Sequence, residues 1–226
     1  MNDKQQVAVQ AAQKIDDGMC VGLGTGSTAN FFIEALAERV QHQGLRIQVV
    51  SSSVVSAIKA SSMGLSPLAI EQIERLDLYV DGADEVTPDF TLLKGRGFDL
   101  VREKLLARAS DAFWVLIDAS KQVEKLGQNF PIPIEVMPWA WRLVQRSLTK
   151  IGGEARLRPN GDGLWVTSHG SLVLDTVFAS EIDATRLNDA LNDIPGVVEH
   201  GIFQGLASGV FCAHEGLVSE RWVESV

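Results

Sequence analysis

From Met19 to about Ile117 the chain alternates short apolar runs with helix-length amphipathic segments, a pattern that few architectures accommodate. Met19-Cys20-Val21-Gly22-Leu23 is a continuous apolar run, as expected of a strand covered on both faces. Thr28–Val40 follows with Ala29, Phe32, Ile33, Leu36, Ala37 and Val40 on one helical stripe. Strands are expected again at Arg46–Val50, Leu76–Val80 and Phe113–Ile117, and helices at 7–15, Val54–Met63 and Asp99–Ala109. A strand that is followed by a helix returns to start a parallel neighbour. The first part of the chain is therefore expected to be an α/β unit, a parallel sheet with helices on both faces.

The pattern changes near residue 130. Phe130–Pro138 carries three prolines in an extended stretch and is expected to cross between domains. A helix at Ala140–Ile151 and short strands at Ala155–Leu157, Leu164–Val166 and Leu172–Leu174 follow. A helix over Ile182–Asn192 and a strand near Val197–Glu199 complete a small α+β set. Gly209–Ala213 and Leu217–Trp222 are expected to return to the first sheet. The expected domains are 1–130 with 206–226, and 131–205.

Hydrophobic residues make up 46 % of the 226 positions and charged residues 22 %, which excludes a disordered chain. Lysine and arginine number 20 against 29 acidic residues, a net charge of −9. That balance disfavours nucleic acid or an anionic membrane as partner. An anionic ligand must instead be gathered by local donors. No apolar run reaches the roughly 18–20 residues needed to span a bilayer. Met1-Asn2-Asp3-Lys4-Gln5-Gln6 lacks the pattern of a secretory signal. Cys20 and Cys212 have no metal-ligand spacing. A cytoplasmic protein with reduced cysteines is expected.

Five segments carry residues with chemical potential. Gly22-Leu23-Gly24-Thr25-Gly26-Ser27-Thr28 joins the first strand to its helix. Glycines admit an anion close to backbone N–H groups, and a helix N-terminus favours negative charge. The dinucleotide fingerprint fails, because Ser27 replaces its last glycine and Ser51-Ser52-Ser53 stands where a ribose-binding acid belongs. The plainer alternative is a tight turn with a Ser/Thr cap. Asp81-Gly82-Ala83-Asp84-Glu85 follows the strand Leu76–Val80, where an open α/β sheet places its ligand. Its carboxylates suit acid/base work or hydroxyl binding, a metal, or only a solvated turn. Lys94-Gly95-Arg96-Gly97 is either a basic surface turn or a clamp for a phosphate or enediolate. Glu103, within Arg102-Glu103-Lys104, reads by itself as part of a solvated helix face. Lys121 follows the strand Phe113–Ile117, positioned to meet an anion or to begin a helix. Together these segments fit a phosphate site with a carboxylate base, suited to proton abstraction beside a carbonyl.

At these residues the chain resembles the ribose-5-phosphate isomerase A family over nearly its whole length. The matching stretches are GLGTGSTA (22–29), SSS (51–53), YVDGADEV (79–86), LLKGRG (92–97), REKLL (102–106), IDASKQVEKLG (117–127), FPIPIEV (130–136) and IPGVV (194–198). The resemblance implies a Rossmann-like domain with a smaller ferredoxin-like α+β domain, in homodimers or homotetramers. It implies interconversion of ribose 5-phosphate and ribulose 5-phosphate through a cis-enediol, with no cofactor and no metal. It assigns the base to Glu103. Sugar binding, ring opening and enediolate stabilisation fall to Asp81, Asp84 and Lys94, with Gly82, Ala83, Gly95, Arg96 and Gly97 alongside. Thr25, Gly26, Ser27, Thr28 and Lys121 hold the substrate, and Lys4 reaches its phosphate.

The family usually reads Lys-Gly-Gly-Gly and then small residues before Arg-Glu-Lys. Here Arg96, Phe98 and Asp99 add bulk and charge. Two alternatives follow: isomerisation of a different sugar phosphate, or a sugar-phosphate-binding paralogue with little turnover. A guanidinium at 96 is expected to pair with Asp99, leaving Glu103 to act as base.

Overall fold

A computed structural model describes residues 2–97, 99–179 and 183–223. The chain divides into two compact units. The first takes residues up to Ala83, then Arg102–Gln122 and those from Leu206 onward; the second takes Asp84–Val101 and Val123–Gly205.

In the first unit seven strands form one sheet, in the order Leu217–Trp222, Gly209–His214, Ser110–Asp118, Leu76–Asp81, Cys20–Leu23, Gln48–Ser51, Pro67–Leu68. All neighbours are parallel except the edge strand Leu217–Trp222, which runs antiparallel to Gly209–His214. The four strands expected in the first half are present, and the tail returns to this sheet. Val21, Leu23, Val49, Val80 and Leu116 lie in its core, which explains their unalternated apolar runs. The helix Asp3–Gln13 opens at Asn2, whose side chain accepts the Gln5 N–H at 2.8 Å. It packs on the helix Ser27–Gln43 and on the strands Ser110–Asp118 and Gly209–His214. Ser53 and Ser56 form a reciprocal capping box at the start of the helix Val54–Ser62.

The second unit has a four-stranded antiparallel sheet in the order Val197–His200, Ile132–Val136, Leu172–Phe178, Gly153–Leu157. The helices Trp141–Lys150 and Ala184–Asn192 pack on it over a core that includes Ile134, Val136, Leu148, Leu174 and Leu187. The expected helix start at Ile182 lies outside the described residues.

Two features depart from the sequence expectation. The proline-rich stretch is no linker: Ile132–Val136 is an inner strand with all five residues buried. Proline is tolerated there for an identifiable reason. The Pro133 carbonyl accepts the Gly201 N–H at 2.8 Å, but Pro133 has no N–H to return. The Gly201 carbonyl accepts the Lys94 N–H instead, at 2.9 Å. Residues 84–101 also belong with the second unit. Glu85–Val86 and Leu92–Leu93 pair with each other, and Leu92–Leu93 pairs with Ile202–Phe203, in a small three-stranded sheet. No helix among the described residues is long and apolar enough to cross a membrane.

Candidate active site

In the first unit the turn after Cys20–Leu23 is shaped by what lies beside it. A Cβ at Gly22 would stand 2.7 Å from the Tyr79 ring, and one at Gly24 would stand 2.1 Å from Asp81 Oδ1. These two glycines make room for the neighbouring strand. Gly26 has another role: its φ of +115° is open to glycine, and it is the N-cap of the helix Ser27–Gln43. A cap without a side chain leaves the first turn of that helix uncapped by its own N-cap residue, unlike the Ser/Thr cap of the plainer reading. Ser27 and Gly26 are exposed, and Thr28 is half-buried. The Lys4 ammonium donates to Ser27 Oγ at 3.0 Å, so Lys4 meets this turn. The Thr25 hydroxyl turns inward, donating to Ser53 Oγ at 2.6 Å and lying 2.9 Å from Ser52 Oγ.

Asp81, at the end of its strand, is fully buried. Its Oδ1 accepts the N–H groups of Thr25 at 3.1 Å and Gly82 at 2.7 Å, and its Oδ2 accepts the Tyr79 hydroxyl at 2.6 Å. Tyr79 is a participant that the sequence reading passed over. Burial, then the negative charges of Asp81 and Glu103, hold its phenol well above the ordinary tyrosine pKa, so it remains a donor. Glu103 is 4 % exposed on the helix Leu100–Ala109. The solvated-face alternative for this charged triplet therefore fails: Glu103 and Lys104 are both buried, and Arg102 reaches the Ser51 carbonyl at 3.5 Å. Lys121 is half-buried in a 3₁₀ turn that opens at Asp118, whose side chain accepts the Ser120 N–H. Ala83 and Gly82 are half-buried.

In the second unit Asp84 donates its N–H to the Leu93 carbonyl at 2.8 Å, and its Oδ2 accepts the Arg96 N–H at 3.3 Å. Lys94 is 4 % exposed, with Nζ 5.7 Å from the Phe203 ring centroid. Gly95, at φ +97°, is buried, and Gly97 is exposed. Arg96 does not pair with Asp99. Its guanidinium lies over the Phe130 ring, 3.8 Å from the centroid, and Asp99 accepts the Ser168 hydroxyl. An aromatic face satisfies an exposed guanidinium while one side stays in water, and the buried carboxylate needs a donor of its own. Phe98 lies outside the described residues. Glu85 stands apart from the two aspartates in what it does. Its oxygens accept the N–H groups of Gly127, Asn129 and Phe130 at 2.7, 2.6 and 3.1 Å, so it ties down a turn.

The model of the family described as ribose 5-phosphate isomerase A (phosphoriboisomerase A) matches residues 48–216. The ribose-5-phosphate isomerase A of Methanothermobacter thermautotrophicus is 43 % identical over 220 residues, 96 % of each chain. Among solved structures, the ribose 5-phosphate isomerase A of Methanocaldococcus jannaschii superposes with a TM-score of 0.92 at 36 % identity, covering 97 % of this chain and 98 % of that one. A D-ribose-5-phosphate isomerase in complex with phospho-erythronic acid superposes with a TM-score of 0.93 at 35 % identity, covering 99 % and 100 %.

Proposed function

The chain belongs to the ribose 5-phosphate isomerase A family, and from that premise we propose that it interconverts D-ribose 5-phosphate and D-ribulose 5-phosphate through a cis-enediol. Glu103 is the base. It takes the proton from C2 of the open-chain aldose while O1 gains a proton, and it returns a proton to C1 as O2 loses its own. Asp81, Asp84 and Lys94 serve the sugar oxygens, ring opening and the enediolate. Thr25–Thr28, Lys4 and Lys121 receive the phosphate.

The observation that carries this reading is the burial of Glu103, a carboxylate withdrawn from water on a helix otherwise expected to be solvated. The ligand of one structural neighbour is a phosphorylated sugar acid. Its carboxylate resembles an enediolate in charge and planarity, which supports the same chemistry here.

The test is direct. The purified chain should convert ribose 5-phosphate, and it should do so in excess chelator. Glu103→Gln should lower kcat by about 10²–10⁴-fold, the usual worth of a positioned base. Nearly full activity in that variant moves the base elsewhere. A panel of other phosphorylated sugars covers the substrate question raised by Arg96.

A further inference from the structure

The Lys94–Gly97 turn is held from a part of the second unit that is remote in sequence. Arg158 donates through Nε to Asp175 Oδ2 at 2.9 Å and through Nη2 to Asp175 Oδ1 at 2.6 Å, a bidentate pair. Asp175 lies on the inner strand Leu172–Phe178, paired on both sides. The third guanidinium nitrogen, Nη1, is thereby aimed elsewhere. It donates to the Gly95 carbonyl at 3.0 Å and stands 3.5 Å from the Gly97 carbonyl. The Arg158 side chain is 13 % exposed, so these charge-assisted bonds are formed mostly out of water.

We propose that Arg158, oriented by Asp175, is a positioning residue that fixes the Lys94–Gly97 turn through the Gly95 carbonyl. The role deepens the isomerase reading and rests on it. Lys94 is anchored on one side by its N–H on Gly201; Arg158 anchors the carbonyl of the very next residue. Gly95 sits at φ +97°, where no side chain stiffens the chain, so the restraint must come from outside the turn. A guanidinium suits this task because its planar fork engages a carboxylate with two nitrogens and still presents a third, which an ammonium does not do with the same geometry.

Hydrogen exchange on the full-length chain tests the device without reference to the reaction. In Arg158→Met the amides of residues 93–97 should exchange about tenfold faster, with exchange elsewhere in the four-stranded sheet unchanged. Asp175→Asn keeps the shape, weakens the orienting pair, and should move the same amides by less; it also serves if Arg158→Met folds poorly. In ribose 5-phosphate isomerisation Arg158→Met should lose about 10–100-fold in kcat with a smaller change in KM. Arg158→Ala should lose activity likewise, and added guanidinium ion should restore part of its loss while leaving the wild-type rate unchanged. Unchanged exchange at 93–97 overturns the proposal. So does a loss of activity that follows the unfolded fraction and ignores guanidinium. A wild-type chain inactive on ribose 5-phosphate overturns the functional reading instead, while the exchange result still decides whether Arg158 restrains the turn.

Discussion

The Tyr79 hydroxyl donates to Asp81 at 2.6 Å, and Asp81 in turn joins it to Thr25 and, through Thr25, to Ser52. Asp81 accepts the Thr25 N–H, and the Thr25 and Ser52 hydroxyls lie 2.9 Å apart. The glycine turn, the second strand end and the first aspartate of the Asp81–Asp84 segment are thus one buried polar assembly.

The buried Tyr79 phenol predicts an alkaline weakness. Because the folded-state pKa of Tyr79 is raised, its contribution to stability is complete below the unfolded value near 10. It fades as the pH rises from there toward the folded pKa, since only the unfolded chain then ionises. Chemical denaturation between about pH 9 and 11 should show a steeper loss for the wild type than for Tyr79→Phe. At neutral pH that variant should be less stable by about 1.5–3 kcal/mol, the range for a hydrogen bond to a charged group. Parallel slopes in the two proteins would exclude Tyr79 as the source.

Gly24→Ala places a methyl group 2.1 Å from Asp81 Oδ1, so the carboxylate must turn or the strands must part. A stability loss of about 1–3 kcal/mol is expected from overpacking, with kcat/KM reduced by an order of magnitude or more as Asp81 is displaced. Thermal melting and steady-state kinetics measure both. Wild-type activity in this variant would show that the position of Asp81 is not critical.

Glu85 lies four residues from Asp81 and has a different consequence. Glu85→Ala strips the acceptor from three backbone N–H groups, each costing about 1–3 kcal/mol if left buried and unsatisfied. The expected result is a large fall in melting temperature with kcat nearly kept in the folded fraction. The reverse, a stable protein without turnover, would put Glu85 among the reacting groups.

For Arg96 the contact with Phe130 sets the expectation. Arg96→Gly removes a cation–π contact worth about 0.5–1 kcal/mol at an exposed site. KM for the sugar phosphate should move, and the pH profile of kcat/KM should not. A displaced acidic limb would mean that Arg96 acts on the base.

Periodicity made the parallel sheet legible, since strands such as Cys20–Leu23 and Leu76–Asp81 are apolar on both faces and their helices carry clear stripes. It misread Ile132–Val136, because a proline in an inner strand is permitted only by a partner that no local pattern reveals, here the Lys94 N–H taking the bond to Gly201. Charge-bearing motifs singled out Asp81 and Lys94, whereas Glu103 read by itself as part of a solvated helix face and only the family resemblance set it apart; its burial is a tertiary property that no local pattern reveals. Tyr79 looked like one more apolar strand residue; only its hydroxyl's neighbour distinguishes it. Arg96 and Asp99 invited pairing by proximity in sequence, yet each finds its partner more than thirty positions away, at Phe130 and Ser168.

The strand Ser110–Asp118 acquires its parallel neighbour from beyond residue 205; Phe113 and Ser208, bonded across that seam, are 95 positions apart. During vectorial synthesis the ribosome therefore releases strands 20–23, 48–51, 76–81 and 110–118 well before the one that seals them. Throughout that interval the nascent sheet presents an unpaired ladder of N–H and C=O groups along Ser110–Asp118, an invitation to pair with another polypeptide. The intervening stretch carries all four strands of its own sheet and can condense while the first sheet waits. A premature stop near residue 205 would thus leave one sheet complete and the other with a sticky rim, an aggregating fragment in place of an inert one.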